Sequence, residues 1–278
     1  MDGDIIKKLY LIPTPIGNLD DISERMIKTI KESDILLAED TRNAQKLLNH
    51  LNISKKVLSN HHFNESKNIS KITNLLKEEK TIGLMSDRGT PLISDPGSYV
   101  VEVAIKYGYE LICIPGPTAI IPALVVSGLK TQPFKFIGFL DSKKSKRIKE
   151  LEELQNEDST MVFYESPHRL EVSLEDMLKV FGDRKVSITK EISKKYEKTY
   201  RSKLSQINEM IHPIKGEYVV VVDGNKEIID FSSLNYVEHV NLYLNQGMVL
   251  MDAIKKVAKE RKKSKSYVYK IYHQNGDD

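Results

Sequence analysis

With 278 residues, 40% hydrophobic and 29% charged, the chain can fill two compact domains and a small appendage, and its composition excludes disordered, collagenous and disulfide-framework classes. A formal net charge of +3 forces no polyanionic partner, so such a partner has to be read from local clustering. Cys113 is the only cysteine, which excludes an internal disulfide and a cysteine zinc cluster, and its apolar setting predicts a buried, inert thiol.

Met1 to Lys8 carries acids and lacks the apolar stretch of a secretory signal, and no segment approaches the ~20 apolar residues of a membrane span. The expectation is a cytoplasmic protein without a membrane partner. From Leu9 onward short apolar runs alternate with amphipathic stretches: strand 9–12, helix 23–31, strand 35–38, helix 41–51, then strands 81–86 and 110–114. Ile27 and Ile30, and later Leu47, Leu48 and Leu51, recur at helical spacing, so each crossover offers one apolar stripe to a sheet. This βαβ rhythm predicts a three-layer α/β domain over 1–120 with a parallel sheet.

A turn-rich passage, Ser127 to Pro133, leads into a second set: strands 134–140, 161–164, 185–189, 199–204 and 218–223, with helices near 145–156 and 168–181. Strands crowd toward its end, which predicts a mixed sheet in a second α/β domain over 121–228. The remainder, 229–278, reads as a basic helical extension with helices near 234–245, 249–261 and 266–273. In its middle helix Leu250, Met251, Ile254, Val257 and Ala258 share one face. Opposite them Lys255, Lys256, Lys259, Arg261, Lys262, Lys263, Lys265 and Lys270 stand against Glu260 alone, a cluster able to track phosphates or simply to solvate the helix.

Three loops, Pro13 to Asn18, Ser86 to Pro91 and Ile114 to Ala119, each follow a predicted strand and precede a helix. In a parallel sheet all three open at the carboxyl edge, where open α/β sheets bind ligands. Pro13 and Pro15 have no backbone N–H, so the first loop cannot cradle a pyrophosphate as G-x-G-x-x-G does, and no Walker triplet occurs. The expected ligand lacks phosphates. S-adenosylmethionine fits, because it needs carboxylates and a close backbone, which Asp87, Asp95, Gly89 and Gly97 supply. Helix capping is the structural alternative for Asp40, Asp95 and Thr118. His50, His61 and His62 lack the spacing of a ligand pair, so no metal is expected.

Thr14-Pro-Ile-Gly-Asn-Leu19, Ala38-Glu-Asp-Thr-Arg42, Ser86-Asp87 with Gly89 to Gly97, Pro115-Gly-Pro117, Phe163-Tyr-Glu-Ser-Pro-His-Arg169 and Lys190-Glu191 together resemble the ribosomal RNA small subunit methyltransferase I family of the tetrapyrrole methylase superfamily. The likeness runs from Leu9 to about Tyr272. It implies two α/β domains of the tetrapyrrole methylase type with the cofactor cleft between them, a C-terminal helical extension, a homodimer, and 2′-O-methylation of a cytidine in the decoding region of 16S rRNA. Carried over residue by residue, Pro15, Asp87, Gly89, Thr90, Thr118, Ala119 and Tyr164 are expected S-adenosylmethionine contacts. Arg88 stands where the family has alanine, Lys198 where it has an acid and Ser202 where it has glycine.

A ribose hydroxyl needs a proton acceptor, for which Glu39, Asp40 and Glu165 are the candidates. Arg42 and Arg169 are candidates to orient phosphate or carboxylate, an ion pair to Glu39 or Glu165 being the alternative. Lys143, Lys144, Lys146, Arg147 and Arg169 are expected to join Lys262 and Lys263 in holding RNA. Two rivals stand beside this reading: a tetrapyrrole C-methyltransferase acting on a polycarboxylate, and a non-catalytic RNA-binding module.

Overall fold

The structure, a computed structural model, describes residues 7–60, 65–78, 80–226, 231 and 234–274, the side chains of 65–69 and 71 excepted. His61 and His62 lie outside the described residues. The first sheet contains β1 (Lys8–Ile12), β2 (Ile35–Ala38), β3 (Val57–Ser59), β4 (Ile82–Met85) and β5 (Glu110–Cys113), ordered β3-β2-β4-β1-β5 and parallel throughout. The central strands β2 and β4 are buried at every position, as a sheet covered on both faces requires. Alternate residues feed opposite cores: Leu9, Leu37 and Leu84 one, Tyr10, Leu36 and Met85 the other.

The covering helices are α1 (Glu24–Glu32), α2 (Thr41–His50), α3 (Glu65–Lys77) and α4 (Ser98–Lys106). Ser23 starts α1 by accepting from the Met26 amide at 3.1 Å, and Met26 and Ile30 fill the core one turn apart. Cys113 corrects the sequence expectation: its side chain is exposed. β5 is an edge strand paired only with β1 in this sheet, so its pattern of buried and open positions differs from that of the central strands.

The chain then crosses to a second sheet. α5 (Ile120–Val126) packs Ile120, Ala123 and Leu124 against Val162, Val219 and Val221 of that sheet. Its strands are β6 (Phe134–Phe139), β7 (Thr160–Glu165), β8 (Lys185–Lys190), β9 (Lys198–Lys203) and β10 (Tyr218–Val222), ordered β6-β7-β10-β8-β9. Only the β6–β7 pair is parallel, so the sheet is mixed. α6 (Lys144–Leu154) and α7 (Leu170–Phe181) cover its other face through Leu151, Phe163, Leu174 and Val220, and the one-turn α8 (Ile207–Met210) adds Ile207.

Arg147 on α6 is a second correction. It is only 4% exposed, and its Nε and Nη2 donate to Asp176 of α7 at 2.9 and 2.7 Å while Nη1 reaches the carbonyls of Asp141 and Ser142. A guanidinium spent on four internal contacts is a pin between helices, not an RNA contact.

Both sheets lie in one compact unit, Met1–Asn225, and Lys226–Asp278 forms another. The second unit holds α9 (Tyr236–Asn245), α10 (Leu250–Glu260) and α11 (Lys265–Gln274) around Val240, Ile254, Val257 and Val268. Asn235 and Glu238 form a reciprocal cap at the start of α9. His239 is fully buried, stacked on Phe231 with centroids 3.7 Å apart. Arg261 Nε donates to its Nδ1 at 3.1 Å, which leaves Nε2 as the protonated nitrogen, 3.0 Å from Glu260. Tyr243 donates to Glu260 at 2.7 Å. Arg261 also reaches the carbonyls of Phe231 and Leu234, so Arg261 and Glu260 turn inward and leave the basic face. Among the described residues no helix is long and apolar enough to cross a membrane.

Candidate functional site

The carboxyl edge of the first sheet is stitched by its own loops. Thr14 and Gly89 exchange two backbone hydrogen bonds of 2.9 Å, and the Thr14 hydroxyl donates to the Ser86 carbonyl at 3.2 Å. Thr90 donates to the Pro117 carbonyl at 3.2 Å. The first loop thus ties to the second and the second to the third. Between these loops and the second sheet opens a cleft of about 380 Å³. Gly89, Thr90, Asp95, Thr118 and Ala119 line it from one side, Phe139, Tyr164, Ile192 and Val219 from the other.

Tyr164 forms the floor. Its ring meets Phe136 edge-on at 5.0 Å and Phe139 at 5.4 Å. Burial pushes its hydroxyl pKa up, opposed by a hydrogen bond with Thr118. Thr118 therefore serves the cleft and does not cap α5, whose cap position is Ala119 without a side-chain bond. The cap position of α4 is held by Gly97 at φ +129°, where its hydrogen lies against Leu84. Ser94 sits at φ 64° on one wall with Leu92 at 69° just before it, and Glu191 and Ser193 sit at 53° and 64° near the other. Such conformations are costly for side chains with a Cβ and gather where a ligand site over-determines the backbone.

Of the seven expected cofactor contacts, Gly89, Thr90, Thr118, Ala119 and Tyr164 line the cleft, whereas Pro15 and Asp87 line an adjoining depression of about 330 Å³ with Asn43 and His50. Asp87 accepts from the Asp40 amide and from Asn43 Nδ2, both at 3.0 Å, so it fixes the turn into α2. Arg88 rims both hollows and pairs with Glu217, a partner from the second lobe that no sequence motif announced. Lys194 adds a second tie: it bonds Glu191 and Glu217 at 2.9 Å each, and its side chain lies where a Cβ on Gly17 would stand. Ser193 bonds Asp21. Phe139, Ile192, Glu217 and Lys194 had no local signal, since each matters only once the two sheets face each other.

The acid–base candidates separate clearly. Asp40 accepts from the Arg42 amide at 2.8 Å and from its Nε and Nη2 at 3.0 and 2.7 Å, so Arg42 pairs with Asp40 and not with Glu39. These bonds hold the Asp40 carboxyl at about 2, too weak a base for neutral pH. The depressed pKa means that the pair is intact above the ordinary aspartate value near 4 and is lost as pH falls through about 2. Carboxyl NMR is expected to show Asp40 titrating there, and Arg42→Ala to return it toward 4; a wild-type midpoint above 4 contradicts the pairing.

Glu165 is a third correction. Its carboxylate is buried and accepts from the Ser166 amide at 2.8 Å and Ser173 Oγ at 2.5 Å, with Arg169 Nε 3.6 Å away. Arg169 spends Nη2 on the carbonyls of Leu140 and Asp141, so it braces the end of β6 and is withdrawn from RNA. Glu39 follows β2 at the carboxyl edge, half-buried. Lys143, Lys144 and Lys146 are exposed at the start of α6, while Lys262 and Lys263 are exposed in the helical unit. Lys198 and Ser202 lie on the edge strand β9, with Lys198 over the Tyr200 ring at 4.8 Å. Among the described residues no group of three His, Cys, Asp or Glu side chains is placed to hold a metal.

A parallel sheet and a mixed sheet facing each other across this cleft, together with a family match over most of the chain, make the protein a methyltransferase of the tetrapyrrole methylase type. Residues 8–208 match the Tetrapyrrole (Corrin/Porphyrin) Methylases. The fold is shared with a cobalt precorrin-4 methyltransferase (TM-score 0.60, 15% identity, 80% of this chain and 97% of that one). A diphthine synthase shares it as well (0.60, 14%, 81% and 94%). The chain belongs to the ribosomal RNA small subunit methyltransferase I family within these methylases. It is 45% identical over 276 residues to that protein of Halalkalibacterium halodurans, covering 96% of this chain and 94% of the other. The Bacillus subtilis protein is 42% identical over 275 residues (95% and 94%). The Thermotoga maritima protein is 42% identical over 221 residues, which are 79% of this chain but 99% of its own.

Proposed function

We propose that this chain transfers a methyl group from S-adenosylmethionine to the 2′-hydroxyl of a cytidine in the decoding region of 16S rRNA, within the small ribosomal subunit. The observation that carries this reading is the cleft itself. It is apolar where an adenine ring needs surface, has Asp95 in its wall, and adjoins a depression lined by Pro15 of a loop too proline-rich to cradle phosphate. That donor set fits the cofactor, which when bound supplies an electrophilic methyl on a sulfonium.

Gly89, Thr90, Thr118, Ala119 and Tyr164 would hold the cofactor, and Pro15 and Asp87 set the loops that bound it. The protein's main contribution is placement, worth ~7–11 kcal/mol when reacting atoms are held in line. The functional division follows lobes at 1–120 and 121–228, with the extension from 229 serving RNA. Lys143, Lys144, Lys146, Lys262 and Lys263 pair with phosphate. The exposed outer face of α5, with Ile121 and Val125 47% and 65% exposed, supports a homodimer. The relatives' rRNA substrate supports a cytoplasmic location.

Glu39 is the remaining candidate to accept the hydroxyl proton. Glu39→Gln is expected to lower turnover on 30S particles by about 100-fold or more, and Asp40→Asn and Glu165→Gln to leave a far smaller defect. Equal turnover in all three discards side-chain base catalysis by these groups. The function is tested by mapping ribose methylation in 16S rRNA from a deletion strain with and without the restored chain. Loss and recovery of one cytidine mark is expected; no change in the marks, or no calorimetric heat with S-adenosylmethionine, overturns the reading.

A further inference from the structure

The helical unit carries a surface that its packing does not use. On α11, Val268 is fully buried and the Tyr272 hydroxyl is held by Asn241 at 2.9 Å, which turns the opposite face outward. Tyr267 and Tyr269 stand on the two flanks of that face, 45% and 44% exposed, with the exposed Lys270 between them. The turn into α11 adds Lys262, at φ 51°, and Lys263, whose ammonium lies 5.7 Å from the Tyr267 ring centre. Arg261, at the head of that turn, is locked inward by His239 and the Leu234 carbonyl, so the turn is held in one shape.

Tyr267 meets Tyr236 edge-on at 5.6 Å and Tyr269 meets His273 at 4.3 Å, yet both rings keep nearly half their surface open among lysines, which a face meant only for solvation does not need. Rings offer stacking to any unpaired base, and lysines offer pairing to the phosphates between them. A paired A-form helix offers the lysines phosphate but offers the rings nothing, because its bases are already stacked on each other. The Thermotoga maritima relative is matched over 99% of its length by only 221 residues of this chain, leaving no room there for a comparable unit and making the unit separable from the chemistry.

We propose that α11 and the preceding turn form a single-stranded RNA surface. Tyr267 and Tyr269 stack on unpaired bases, and Lys262, Lys263 and Lys270 hold the intervening phosphates. The inference rests on the proposed rRNA substrate for the identity of the nucleic acid, not for the surface.

The test uses the full chain, a short unstructured oligoribonucleotide and a hairpin duplex, with affinity read by fluorescence anisotropy over a salt series. Tyr267→Ala with Tyr269→Ala is expected to weaken single-strand binding about tenfold or more at an unchanged salt slope, leaving duplex binding as it was. Tyr267→Phe with Tyr269→Phe is expected to bind like wild type. Lys262→Ala with Lys263→Ala is expected to flatten the salt slope. Tyr269→Ala alone guards against misfolding, since Tyr267 also packs edge-on against Tyr236 at 5.6 Å. Unaltered single-strand binding in the folded tyrosine variants, or an equal loss on duplex, overturns the surface. Methyl transfer to 30S particles is measured beside it: binding lost in the tyrosine variants while wild type methylates nothing upholds the surface and overturns the proposed function.

Discussion

Arg147→Ala is expected to destabilise the two-sheet unit by about 3–5 kcal/mol, read as a lower urea midpoint, because it leaves the buried Asp176 without its two hydrogen bonds and with only Lys144, 4.0 Å away. The pair is almost closed to water, with side chains 4% and 6% exposed and a 2.7 Å contact. In such a place the cost of removing one partner is dominated by the stranded charge. Replacing both, by Arg147→Met with Asp176→Leu, is expected to recover most of the loss, since an apolar pair of similar volume needs no partner. RNA affinity and its salt dependence should change little in the double variant, whereas Lys144→Ala should flatten the salt slope. A loss under about 1 kcal/mol for Arg147→Ala would place the guanidinium in water, as an exposed pair behaves.

The second large effect concerns the cleft. Ala119 lines it at the start of α5 with φ −81° and ψ −22°, a conformation open to any side chain. Ala119→Phe is therefore expected to fold normally while placing a ring inside the cavity. Calorimetric heat with S-adenosylmethionine should vanish, the thermal shift the ligand gives the wild type should disappear, and kcat/KM should fall by more than about 100-fold. Ala119→Ser, which adds a single oxygen, should retain most of the activity. Normal binding by the phenylalanine variant would move the methyl donor out of this cleft.

The local text was a good guide to elements. Strand 35–38 appears with those bounds as β2, helix 23–31 appears as α1 with Ile30 buried and Ile27 half-buried, and strand 218–223 appears as β10, one residue shorter. Parallel and mixed sheets followed from the same rhythm. β3 and α3 had no prediction, because three half-buried residues leave no periodicity to read. The loops that line the cleft with Gly89, Thr90, Thr118 and Ala119 were legible because strand-to-helix turns of a parallel sheet must share one edge.

The misplaced residues have one thing in common. Cys113 sits in an apolar run, but only strand order reveals that β5 is an edge. Arg147 and Arg261 look like members of basic clusters, yet Asp176 on α7 and His239 on α9 draw them inward across 29 and 22 positions of sequence. Glu165 looks like a free acid until Ser173 and Arg169 close around it.

Periodicity and capping are written into neighbouring residues, because one turn of helix or one pleat of strand is enough to decide which face a side chain takes. The sequence by itself therefore determined the two α/β lobes, the helical extension and the edge at which ligand-binding loops gather. Which charge meets which depends on elements brought together from distant parts of the chain. Only the tertiary structure decided that Arg147, Arg169 and Glu165 hold the protein in shape, since an ion pair becomes visible only when burial has removed the water that would otherwise satisfy it.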